Sequence, residues 1–81
     1  MSQNLTQIEQ EIRTILAAFL KNPPELTGST DLIEDLNLES IQIIEFVVEI
    51  EDHYDIAIDL ESLSNVHTIS QLAEVVARNQ A

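Results

Sequence analysis

The stretch Asp35-Leu36-Asn37-Leu38-Glu39-Ser40-Ile41-Gln42-Ile43-Ile44-Glu45-Phe46 changes character at its middle. A polar loop ends at Glu39-Ser40, and a nearly continuous apolar run starts at Ile41. Read at a helical period, the run predicts a helix from Ser40 to about His53. Ile43, Phe46, Val47 and Ile50 share the side suited to a core. Gln42, Glu45, Glu49 and Asp52 lie together on the opposite side. Like charges at such spacing repel by a few tenths of a kcal/mol per pair, so stability alone would not select this ridge. Ile41, Ile44 and Val48 form a second apolar strip beside it, and Glu51 projects between that strip and the core side. Apolar contacts flanked by one sign of charge suit a transient docking helix. The alternative is a helix buried on two sides beneath the preceding loop.

Ser40 itself has two readings. As an N-cap it would be worth about 1 kcal/mol. As the bearer of a phosphodiester, its hydroxyl would stand near the free N–H groups and positive end of the helix. The neighbouring Glu39 would turn such a group towards solvent.

Working outward, Leu5, Ile8, Ile12, Ile15, Leu16 and Phe19 recur at three- and four-residue steps and predict a first helix over about Gln3 to Lys21. Thr6 with Glu9 reads as its capping box, with Ser2 as an earlier cap. Pro23-Pro24 stops it. The connection from Asn22 to Glu39 holds Gly28, the one glycine, and apolar Leu32, Ile33, Leu36 and Leu38. These predict a loop pinned to the core with one helical turn, and connections this long are often functional. Tyr54 to Ile58 reads as an extended link, because a lone strand has no partner. Leu60 to Ser64 reads as a short third helix. Thr68 to Gln71 is another capping box, opening a fourth helix that turns Ile69, Leu72, Ala73, Val75 and Val76 inward. The expected fold is all-α: a small four-helix bundle of three main helices and one short one, with a long loop between helices 1 and 2.

The 81 residues make one domain, 1–81, with a thin core and little room for a deep active site. With no cysteine there are no disulfides or thiolate metal sites. Fifteen acidic residues face three basic ones, Arg13, Lys21 and Arg78, for a net charge of −12. That charge argues against nucleic acid and anionic membranes, favours basic protein partners, and favours a monomer. The first residues lack signal-peptide character and no apolar run approaches a membrane span, so a soluble cytoplasmic protein is expected. The Met1 start and lack of long linkers favour a discrete chain over an excised module.

Catalysis by the chain itself is not expected. His53 lies about 20 Å from Ser40 at helical rise, and no histidine–carboxylate spacing matches a metal site. An EF-hand counted from Asp31 fails, with Leu36 at the glycine position and Gln42 at the glutamate position.

Asp35-Leu36-Asn37-Leu38-Glu39-Ser40-Ile41 resembles the attachment motif of the acyl carrier proteins. Tyr54-Asp55-Ile56 is similar to the turn after that family's second helix, and Val66 to Leu72 to the run into its last. The resemblance covers nearly the whole chain. It implies a non-enzymatic carrier whose Ser40 receives 4′-phosphopantetheine from coenzyme A through a separate phosphopantetheinyl transferase. The imported thiol then holds acyl groups as thioesters, which suits a chain without cysteine. The resemblance also implies acyl-loading and condensing enzymes that bring basic patches to the second helix, onto Glu45, Glu51 and Asp52, with Ile41, Ile44 and Val48 as apolar contacts; Glu39 and, from the ridge, Glu49 are counted with them as candidate docking residues. Glu39 stands for the usual aspartate, Ile41 for leucine, Asn37 for a common glycine, and Gln42 for an often acidic residue. Ile43 is bulkier than the small polar residue often found at its position. These departures point to polyketide or other specialised biosynthesis rather than housekeeping fatty-acid synthesis. An aminoacyl or peptidyl carrier is the first alternative, and an acidic adaptor without prosthetic group the second. A cargo pocket lined by Ile43, Val47 and Leu63 is a further expectation.

Overall fold

The computed structural model describes residues 4–21 and 24–80. Four helices follow in order: α1 Leu5–Leu20, α2 Ser40–Tyr54, α3 Leu60–Leu63 and α4 Ile69–Asn79. α1 packs chiefly against α4 and also against α2. The amphipathic periodicities explain why. Ile8, Ile12 and Leu16 of α1, Phe46, Val47 and Ile50 of α2, and Ile69, Leu72, Ala73, Val75 and Val76 of α4 are all buried in one core. Burying each large apolar side chain is worth roughly 1.5–3 kcal/mol. The rings of Phe19 and Phe46 meet in a tilted contact, 5.6 Å between centroids, and join α1 to α2. Leu5 departs from the expected inward face: it is the first residue of α1 and is exposed.

One helix start corrects the sequence reading and another bears it out. α1 is capped by Asn4, whose side-chain oxygen accepts from Gln7 N–H at 2.8 Å, and not by Thr6. Asparagine outranks threonine as a cap, and the apolar stripe tolerates the earlier start. The alternative cap Ser2, the expected start at Gln3 and the stop at Pro23 lie outside the described residues. The predicted box at α4 is present, with Thr68 Oγ1 accepting from Gln71 N–H and Gln71 Oε1 from Thr68 N–H, each at 3.1 Å.

α2 runs one residue further than expected, to Tyr54. Asp55 ends it in the left-handed region with φ 54°, and Ile56 N–H returns to the Glu51 carbonyl at 3.1 Å. Such left-handed endings satisfy carbonyls that the helix leaves open. The Tyr54 hydroxyl donates to Glu11 Oε1 at 2.6 Å and fixes the end of α2 to α1. Burial, with that bond, pushes the phenol well above its ordinary range.

The long loop is held down at both levels the sequence suggested. Leu32 and Leu38 are buried and Leu36 is packed against the core, while Ile33 is exposed. One helical turn forms after Asp31, whose carboxylate accepts from Ile33 and Glu34 N–H at 2.8 and 2.7 Å. Those bonds favour the ionised form and hold Asp31 below the usual carboxylate range. Asn37 closes the turn with φ 58°. The loop is also tied to the start of α4. Leu32 N–H donates to His67 O at 2.7 Å, Ile69 N–H to Thr30 O at 3.3 Å, and Ser70 N–H to Gly28 O at 2.8 Å. Asp31 and Thr68 pair there as an isolated antiparallel bridge.

Candidate functional site

Ser40 is the first residue of α2 and is exposed. It does not cap the helix. Glu39 occupies the cap position in extended backbone, with φ −84° and ψ 163°, and is held there by Gln42 in half of a capping box. Gln42 Oε1 accepts from Glu39 N–H at 2.9 Å. The purely structural reading of Ser40 therefore fails: the cap is supplied one residue earlier. Among the described residues nothing hydrogen-bonds the Ser40 hydroxyl. An exposed, unencumbered hydroxyl at a helix start fits a bulky phosphodiester, since no neighbour has to be displaced.

Along α2 the apolar strip is open. Ile41 is 64% exposed, Ile44 45% and Val48 48%, so the preceding loop does not fold over them. Glu45, Glu49 and Asp52 are exposed beside them. Arg13, Lys21 and Arg78 lie on or beside α1 and α4, and α2 contains no lysine or arginine. The face running back from Ser40 is thus apolar and anionic. Glu51 is different. Its carboxylate accepts from Ile58 N–H at 2.7 Å and so fastens the link between α2 and α3, with Ile58 buried. This use depends on the link's path and carries no signal in helical spacing. Glu49 lies at the edge of the ridge, beside a groove of about 410 Å³ formed with Thr14, Ile15, Ala18 and Phe19 of α1.

Of the residues expected to line a cargo pocket, Val47 is buried in the core, and Ile43 and Leu63 are half-buried and packed against it.

The histidines are remote from any catalytic arrangement. His53 Nε2 lies 4.0 Å from Glu11 Oε1, near the far end of α2, with its ring edge-on to Tyr54. His67 uses its backbone: its carbonyl accepts from Leu32 and its N–H donates to Gln71 Oε1 at 2.6 Å. Among the described residues no cluster of histidines and carboxylates is disposed to hold a metal ion. Among them, too, no helix is long and apolar enough to cross a membrane.

The site is one open hydroxyl ahead of an apolar, anionic helix face, and among the described residues no histidine lies near it. The family described as the phosphopantetheine attachment site matches residues 10–76, and the chain belongs to it. The mitochondrial acyl carrier protein of Saccharomyces cerevisiae is 28% identical, over 96% of this chain and 68% of its own. An acyl carrier protein of Saccharopolyspora erythraea is 30% identical, over 85% of this chain and 74% of its own. A solved structure of a proposed acyl carrier protein from Mycobacterium tuberculosis, 27% identical, superposes with a TM-score of 0.80 over 88% of this chain and 96% of that one. The chain is accordingly a carrier of acyl groups and not a catalyst. Its cofactor is covalently attached 4′-phosphopantetheine, and it works with a phosphopantetheinyl transferase and biosynthetic enzymes. This removes the adaptor without prosthetic group.

Proposed function

We propose that Ser40 is the attachment residue and that α2 is the face read by the partner enzymes, within a single carrier domain. The observation that carries the reading is the state of the Ser40 hydroxyl, exposed at the helix start and released from capping by Glu39. In the modification the Ser40 oxygen forms an ester with the phosphoryl group of coenzyme A, and adenosine bisphosphate leaves. The proton goes to a base on the transferase, because His53 lies about 20 Å along the helix. Once attached, the arm supplies a terminal thiol that holds acyl groups as thioesters.

Ile41, Ile44 and Val48 then offer apolar contact to a partner. Glu39, Glu45, Glu49 and Asp52 supply a field that steers basic surfaces, which acts more on encounter rate than on final affinity. Glu51 contributes charge, but its first role is to hold Ile58 N–H. The pathway is polyketide or other specialised biosynthesis. Support comes from Glu39 and from Gln42, a neutral residue committed to the cap where a carboxylate would otherwise enlarge the anionic ridge. Aminoacyl or peptidyl cargo is the alternative, and the acidic α2 face speaks against it.

The test is an intact mass after incubation with coenzyme A and a broad-specificity phosphopantetheinyl transferase. One added arm is expected on the native chain and none on Ser40→Ala. An arm retained by Ser40→Ala would move the site elsewhere.

A further inference from the structure

Serine is among the strongest helix caps, and glutamate is not among the preferred ones. Here they stand side by side, Glu39 before Ser40, so α2 has two competing starts. In the observed start Ser40 is helical, and the Glu39 carbonyl accepts from Ile43 N–H at 3.0 Å. In the other start Ser40 would become the cap. Its backbone would swing to the extended region, and its Oγ would accept a backbone N–H from the first turn. That bond occupies an oxygen lone pair and turns the hydroxyl in towards the helix. The same oxygen must use a lone pair to attack phosphorus.

What opposes the second start is the bond to Gln42. Gln42 is half-buried, and its Oε1 holds Glu39 N–H at 2.9 Å with Glu39 at the cap position, although the Glu39 carboxylate itself makes no cap hydrogen bond. This half of a capping box satisfies one otherwise open donor and offsets the weaker cap. We infer that Gln42 is a positioning residue for the modification of Ser40: acting through Glu39, it keeps α2 starting one residue early and leaves the Ser40 oxygen free to react. The inference rests on Ser40 being the attachment residue.

Gln42→Met isolates the effect, because methionine matches glutamine in size and helix propensity but lacks the acceptor oxygen. Gln42→Glu restores an acceptor. Two quantities are measured: the Ser40 Cα and Cβ chemical shifts of the unmodified chain, and kcat and KM of a transferase with coenzyme A, followed by intact mass. For Gln42→Met the shifts should move from helical towards extended, and kcat/KM should fall by up to about fivefold, the change in the ratio of starts that one cap controls. Gln42→Glu should recover both readouts. Helical Ser40 shifts in Gln42→Met overturn the inference. So does an unchanged kcat/KM, or a fall in kcat/KM with the shifts unmoved, which would make Gln42 a contact of the transferase. If the native chain accepts no arm, the attachment reading fails, and the carbon shifts still decide which residue caps the helix.

Discussion

Asn37 shows how one residue can meet a backbone demand that the attachment motif usually gives to glycine. Its φ of 58° lies in the left-handed region, where asparagine is tolerated and branched side chains are not. Asn37→Gly should leave stability within about 1 kcal/mol of the native chain, whereas Asn37→Val should lose about 1–2 kcal/mol, both read from urea denaturation. Equal stability of the two variants would contradict the turn geometry. Residue chemistry also marks where sequence reading stopped. Ser40 outranks Glu39 as a cap in any table of preferences, so the sequence offered the wrong cap. The three-residue spacing to Gln42 was the available signal. At α1 the ranking held instead, and the cap is Asn4 rather than Thr6. Glu51 could not be read at all, because Ile58 N–H reaches it only after Asp55 reverses the chain.

At the scale of elements, periodicity was enough. All five residues expected inward on α4 are buried, as are Phe46, Val47 and Ile50 of α2. The three-four spacing of Ile41, Ile44 and Val48 marked a second strip, but its exposure depended on where the preceding loop runs. That path is fixed by backbone bonds to the start of α4, which no local pattern encodes. The open strip gives the proposed docking face a direct test. Glu45→Lys with Asp52→Lys should slow association with a basic cognate synthase by about tenfold at low salt, and the deficit should shrink as salt rises. Ile44→Ala should instead speed dissociation. Stopped-flow binding separates the two. An association rate indifferent to the charge reversals would remove α2 from the docking surface.

For the whole molecule, the dominant quantity is a net charge of −12 on 81 residues. Among the described residues no lysine or arginine pairs with a carboxylate, and the contact of His53 with Glu11 is partly exposed and long at 4.0 Å, so the charge is left almost uncompensated. Self-repulsion of this kind opposes the compact state and is screened over about 10 Å at 0.1 M salt. Added sodium chloride should therefore raise the thermal midpoint, most steeply at low ionic strength. A midpoint that stays flat would mean the repulsion is no smaller in the unfolded chain.

The ties from Gly28, Thr30 and Leu32 to the start of α4 set a lower limit on what can be cut away. The approach to Ser40 hangs from backbone groups about thirty positions downstream, between His67 and Ser70. A peptide spanning only the motif and α2 would keep the serine and lose the scaffold that presents it. If Ser40 carries the arm, cutting the chain before the opening turn of α4 should free the loop ahead of Ser40 and slow its modification, read by intact mass.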